Sequence, residues 1–267
     1  IEAGKTMGLF PYGKPNDSFP SITDANDLPV PTTNRNLIVP RYPNGAVVNS
    51  NMYNFLNNDS DEDVTLLQNR RDMAYAVQTE SQQSVTNLIR HAVEISGCKN
   101  VVISGGYGLN CVANYHYLKA LKDEGIEIYV EPISNDAGTA MGAAYTWHHV
   151  ITEDATVRAR QDDVYLGPVH SYTDESINNI ASNYNAEVTD ASQDDVIKLM
   201  TDRNIVTLFQ GRSENGPRAL GNRSIMYDPT DPNGKDFVNS VKHREYFRPF
   251  AGSILEEDVH EWFDLRG

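Results

Sequence analysis

Val101-Val102-Ile103-Ser104-Gly105-Gly106-Tyr107-Gly108-Leu109-Asn110 is the stretch on which the fold turns. Its short apolar run suits a buried parallel strand. The run passes straight into a glycine-rich turn. A helical pattern follows through Val112, Leu118 and Leu121 and stops at Gly125. Ile126-Glu127-Ile128-Tyr129-Val130 predicts a second strand. Asn135-Asp136-Ala137-Gly138-Thr139 then opens a helix of small residues, Ala140 to Trp147. Strand, loop and helix, given twice in succession, are the pattern of an α/β domain.

Working outward, apolar residues recur at helical spacing from Val64 through Leu67, Met73, Ala76, Val77, Val85, Leu88, Ile89, Ala92 and Val93 to Ile95. Residues 60–63, Ser-Asp-Glu-Asp, resemble a capping box, and Gly97 is a natural stop. The polar stretch 68–72 is a candidate break in this helix. Residues 1–60 are read as irregular, and 14–60, rich in Pro, Asn and Asp, as a long surface excursion. Residues 151–163 lack an apolar stripe and read as a linker. Beyond them, 173–184 and 193–202 predict helices, the second capped through Ser192 and Asp195. Ile205-Val206-Thr207-Leu208-Phe209 predicts a buried strand, after which the chain becomes rich in Gly and Arg.

The 267 residues carry 22 Lys and Arg against 37 Asp and Glu, a net charge of −15. That acidity argues against binding a nucleic-acid backbone or an anionic membrane surface, since like charges repel. No apolar run approaches the ~20 residues of a membrane helix. Cys98 and Cys111 are not spaced as a redox or zinc motif, so they read as reduced thiols in a reducing, cytoplasmic compartment. The chain starts at Ile1 rather than Met and reads as an internal fragment of a longer protein.

The charge is uneven. Residues 210–250 hold seven basic side chains (Arg212, Arg218, Arg223, Lys235, Lys242, Arg244 and Arg248) and five acids, so this segment is +2 within a −17 remainder. Arginine forks in glycine-bearing loops match phosphate or carboxylate geometry, and internal salt bridging is the plainer alternative. His243 is the one histidine of this island and suits a phosphate donor or general acid.

The two glycine-rich turns form a second candidate. Backbone N–H groups at a strand-to-helix turn hold anions, and glycines let a ligand approach; a simple tight turn explains the same residues. Asp136 serves either as a helix N-cap or as a carboxylate facing a metal or phosphate. His91, His116, His148 and His149 read as structural or solvated, and Cys111 as a small buried residue.

Five segments carry a resemblance to a known family. Gly4-Lys5-Thr6-Met7-Gly8-Leu9-Phe10-Pro11-Tyr12-Gly13 resembles the GKxMGLAPYG segment of NodU/CmcH/TobZ-type O-carbamoyltransferases. Gly105-Gly106-Tyr107-Gly108-Leu109-Asn110-Cys111-Val112-Ala113-Asn114 resembles their GGVALNCVAN, and Asn135-Asp136-Ala137-Gly138-Thr139-Ala140-Met141-Gly142-Ala143-Ala144 their GDAGTALGAA. The run from Phe209 to Ile225, with Gly216-Pro217-Arg218-Ala219-Leu220-Gly221-Asn222-Arg223-Ser224-Ile225 at its centre, is similar to FQGRMEFGPRALGNRSI. Lys242-His243-Arg244-Glu245-Tyr246-Phe247-Arg248-Pro249-Phe250-Ala251 is similar to KHREPFRPFAP. Tyr107-Gly108 replaces the common Val-Ala, Asn135 replaces Gly, and Gly252 stands where Pro is usual.

The resemblance implies an α/β protein of two domains. Residues 1–160 would be the C-terminal part of an actin/Hsp70-like (ASKHA) carbamoyl-transfer domain, and 165–267 the start of a YrdC-like domain. The second would make carbamoyl-adenylate from ATP and carbamoyl phosphate. The first would pass the carbamoyl group to the hydroxyl of a small molecule at a divalent metal, iron-like or Mg. By the same resemblance Asp136 matches a metal ligand, and Gly105, Gly106 and Asn110 match the loop near the adenylate. Arg218, Asn222, Arg223, Lys242, His243, Arg244 and Arg248 match the activation site, with Arg218 and Arg223 on the phosphates. A sugar-kinase-like enzyme and a non-catalytic scaffold stay open as alternatives, as does homo-oligomerisation.

Overall fold

The computed structural model describes residues 3–19, 21–23, 38–40, 46–48, 64–154, 156 and 163–263. They divide into two units: Ile1–Val164 together with Asn215–Pro217, and Tyr165–Glu214 together with Arg218–Gly267.

The first unit departs from the expected irregular start. Helix α1 (Ala3–Leu9) runs into a 3-10 turn, Phe10–Tyr12. Gly13 follows, where an added Cβ would meet the carbonyl oxygen of Arg71 at 2.1 Å, so only glycine permits this approach to the next long helix. Within the 14–60 stretch, β1 (Ile38–Pro40) pairs antiparallel with β2 (Ala46–Val48), satisfying backbone groups that a plain loop would leave to water. The expected capping box at 60–63 lies outside the described residues.

Helix α2 (Val64–Ser96) is continuous, so the expected break at 68–72 does not occur. The polar residues there make an anchor instead. Gln68 donates to Asp72 at 2.7 Å one turn on, and Asp72, 2% exposed, also accepts from the Lys14 N–H and the Asn16 side chain, both at 3.0 Å. Burial opposes ionisation of Asp72. Its three hydrogen bonds and the Lys14 charge outweigh that and hold the carboxyl below its ordinary value. Further along α2, Glu80 Oε2 accepts from Ser21 Oγ, the Ile22 N–H and the Thr23 N–H. Gly97 ends the helix as expected, with φ +67°.

β3 (Asn100–Ile103) pairs parallel with β4 (Glu127–Val130). Between them in sequence lies helix α3 (Cys111–Leu121), closed by a 3-10 turn and the left-handed Gly125. The core consists of Ile89 of α2, Ala113, Tyr117 and Leu121 of α3, and Ile126. Val85, Val93, Val101, Ile103 and Ile128 pack around it. The strands are buried on one face only, against expectation: Val102 is 65% exposed and Tyr129 56%. Side chains alternate between faces, and only the face carrying Val101, Ile103 and Ile128 meets the core. Helix α4 (Ala137–Thr152) runs further than expected at both ends and buries none of its residues.

The second unit begins with α5 (Asp174–Asn183), closed by a Thr173–Ser176 capping box, and α6 (Gln193–Thr201), closed by the expected Ser192–Asp195 box. β5 (Val206–Phe209) pairs antiparallel with β6 (Arg223–Met226), Phe209 opposite Arg223. β5 is not buried as expected: Phe209 is 61% exposed and carries the Arg223 guanidinium 3.6 Å from its ring centre. Helices α7 (Gly234–Val241) and α8 (Val259–Trp262) follow. Among the described residues, no helix is long and apolar enough to cross a membrane.

Candidate functional site

The residues that the sequence singles out fall in both units. In the first unit, β3 and β4 are parallel, so their C-terminal ends share one edge. That edge is where open α/β sheets take ligands. The two glycine-bearing turns leave it together. A Cβ on Gly108 would lie 3.0 Å from Cβ and Oγ of Ser134, so the turns touch. Gly105 has φ +83°, and nothing lies within 4 Å of a Cβ built on Gly105 or Gly106, which leaves open space at the tip of the turn.

Asn110 is committed within the fold. Its side-chain oxygen accepts the Ala113 N–H at 3.1 Å and so caps α3. Its amide also exchanges two hydrogen bonds, of 3.0 and 3.2 Å, with Gln78 of α2, a residue 2% exposed. Tyr107 is tied in similarly: Tyr117 Oη donates to Tyr107 Oη, which donates to Ser81 Oγ. Burial, then the Tyr107 contact, raises the Tyr117 phenol far above its ordinary value. Sequence reasoning missed Gln78 and Ser81, because polar residues on a long helix resemble any solvated face.

Asp136 stands at the N-terminus of α4 but makes no side-chain cap bond. Asn135 takes that place, its side-chain oxygen accepting the Ala137 N–H at 3.2 Å. The plainer reading of Asp136 as the cap is therefore corrected, and its exposed carboxylate faces outward at the positive end of a helix. Among the described residues no group of three or more His, Cys, Asp or Glu could hold a metal. One carboxylate does not fit a divalent ion, so no metal step is derived for this chain. Cys111 is exposed, not buried, with its sulfur 3.9 Å from Met7 Sδ; Cys98 and Cys111 are both free thiols.

In the second unit the arginines divide into two kinds. Arg223 donates to the main-chain oxygens of Gln210, Asn222 and Gly211 at 2.6, 2.8 and 3.3 Å, and Arg212 donates to those of Gly167 and Leu166. Asn222 donates to Arg212 O at 2.7 Å. These residues fasten the loop that carries them.

Arg244 differs. Burial lowers its pKa, the nearby positive charges of Arg248 and Arg218 lower it further, and Glu245 partly offsets them. Its Nε is buried without a hydrogen-bond partner, while Nη2 donates to Pro249 O and the guanidinium lies 4.7 Å from the Phe250 ring centre. Arg248 donates to Glu245 at 2.7 Å. Arg244 thus has two further guanidinium charges within electrostatic reach, a local excess of positive charge that a small anion would relieve.

Lys242 and His243 stand exposed at the end of α7. The His243 N–H bonds to Ser240 O and the Arg244 N–H to Asn239 O, both at 3.0 Å. This is the helix-ending Schellman pattern, which puts His243 at the position that glycine normally takes, with φ +49°. Asn239, 1% exposed, donates to the main-chain oxygens of Tyr246 and Arg248 and shapes the loop that follows. Only its place on the buried side of α7 could have signalled it.

The Carbamoyltransferase N-terminus family model matches residues 1–145, and the Carbamoyltransferase C-terminus model matches 197–267. The chain belongs to the carbamoyltransferase family. It is 32% identical to Nodulation protein NolNO of Sinorhizobium fredii, over 98% of this chain and 37% of that protein. It is also 32% identical to Nodulation protein NolO of Bradyrhizobium diazoefficiens, over 98% of this chain and 46% of that one. Nodulation protein U of Azorhizobium caulinodans is 36% identical over 66% of this chain and 30% of its own length. This carbamoyltransferase chain thus spans less than half the length of these curated relatives. The N-terminal match takes in both glycine turns and Asp136; the C-terminal match takes in the whole arginine island.

Proposed function

We propose that this chain carries the donor-activating part of an O-carbamoyltransferase that uses ATP and carbamoyl phosphate. Both donors are polyanions, and the reading rests on one observation above all: Arg244, whose Nε is buried without a hydrogen-bond partner, has the positive charges of Arg248 and Arg218 within electrostatic reach. A cationic cluster of this kind binds transferring phosphoryl groups and steadies charge that grows as pyrophosphate leaves ATP. Lys242 and His243 flank the same loop, and His243 is held in a left-handed conformation that costs a non-glycine residue stability. In this reading carbamoyl phosphate loses its phosphate, and the carbamate oxygen displaces pyrophosphate from the α-phosphorus of ATP. The carbamoyl-adenylate passes to the glycine-turn domain, where Gly105 and Gly106 admit it. There a small-molecule hydroxyl attacks the carbamoyl carbon, losing its proton as AMP leaves. The ASKHA and YrdC-like fold assignments belong to this proposal.

Carbamoyl-phosphate-dependent ATP–pyrophosphate exchange by the intact protein tests it. Arg218→Ala should lower that exchange at least ~100-fold, the scale for losing a preorganised charge at a phosphoryl group. Exchange at the wild-type rate in Arg218→Ala, or ATP turnover indifferent to carbamoyl phosphate, would overturn the assignment.

A further inference from the structure

Glu214 belongs to none of the groups above, yet the loop carrying Arg218 and Arg223 is built around it. Its Oε1 accepts three main-chain N–H groups: Leu220 at 2.7 Å, Asn222 at 2.8 Å and Arg223 at 3.3 Å. The carbonyls of the same loop turn elsewhere. Leu220 O accepts from Tyr165 Oη at 2.8 Å, Gly221 O from Gln210 at 3.0 Å, and Asn222 O from Arg223 itself. Gly221, at φ +106°, makes the reversal that aims neighbouring N–H groups at one point. The Gly221 N–H between them donates to Ser224 Oγ at 2.8 Å, and the three N–H groups that converge on Glu214 form an anion nest. Here the anion is part of the chain.

We propose that Glu214 is the positioning residue of the arginine loop, a built-in carboxylate that fills the nest and so sets where Arg218 is presented. Three N–H dipoles aimed at one point repel one another unless a negative charge sits between them. The carboxylate removes that repulsion. Its own ionisation agrees. Partial burial opposes the charge, the backbone N–H groups outweigh it, and the carboxyl is held down at about 2. Glu214 therefore stays ionised across the working pH range and acts on the donor only through the loop.

This inference rests on the reading of the arginine loop as the donor site, and its test keeps the two apart. Amide hydrogen exchange at Leu220 and Asn222 is followed in the intact protein alongside ATP–pyrophosphate exchange. Glu214→Ala should speed both amides about tenfold or more and raise KM for carbamoyl phosphate, because charge-assisted bonds are lost. Sodium formate, a free carboxylate of the right size for the vacated nest, should restore both. Glu214→Gln keeps an acceptor without the charge and should fall between, which covers the case in which the alanine variant does not fold. Unchanged amide protection in both variants overturns the proposal, and so does a loss that formate leaves untouched. If Arg218→Ala keeps full activity while Glu214→Ala loses protection and formate restores it, the donor-site reading falls and the nest stands.

Discussion

The two units are held together by different forces. The first is shaped by burial: seven of its side chains, Ala74, Ile89, Ala113, Tyr117, Leu121, Ile126 and Ile133, are buried hydrophobics. In the second, Val238 is the one buried hydrophobic among the described residues. There the loops are instead laced by Glu214, Arg212, Arg223, Asn222 and Asn239, nearly all bonding to main-chain groups. The difference follows from the residues each unit is built of. A glycine turn needs a firm base and an open tip, and apolar packing supplies that base. A loop that must present several like charges cannot bury them without cost, so it is tied by hydrogen bonds.

Removing apolar volume should therefore hurt the first unit most. Leu121→Ala should cost about 2–5 kcal/mol, read by denaturant unfolding and by hydrogen exchange in α3. A loss no larger than that of Val238→Ala would break the contrast. Asn110→Ala comes next, at about 0.5–2 kcal/mol for the lost cap, with Gln78 Oε1 losing its Asn110 donor while Nε2 keeps its bond to Gln82. Faster exchange of the Ala113 amide is its signature. His243→Gly should act in the opposite sense in the second unit, gaining about 1 kcal/mol at the end of α7 while donor activation falls. A stabilised protein with unchanged turnover would show that the strain serves no chemistry.

The smallest effect at neutral pH concerns Asp72. Its folded-state pKa is lowered, so its contribution is complete above the ordinary carboxylate range and fades as pH falls through the folded value. Acid titration should release the 14–16 segment from α2, read as proteolytic nicking there. Asp72→Asn should flatten that acid dependence.

Much of the fold was legible along the chain. Hydrophobic spacing marked α2, α3, α5 and α6, and Gly97, Gly125 and Ser192 placed their ends, because capping and periodicity are local. Parallel pairing of β3 with β4 followed from a helix between two short apolar runs. Less legible was the role of polar residues. The 68–72 stretch resembled a break and is an anchor, because Lys14 and Asn16 meet it from far away in sequence. Arg223 and Arg218 looked alike in one motif, yet Arg223 donates to three carbonyls of its own loop.

The sequence by itself determined the family, the order of elements and the places where glycine is required, since these rest on residue type and short-range spacing. Only the tertiary structure decided which charged and polar groups are spent holding the loops and which gather into a cluster. A guanidinium or carboxylate takes its role from the acceptors, donors and charges within a few ångströms, and most of those arrive from distant parts of the chain.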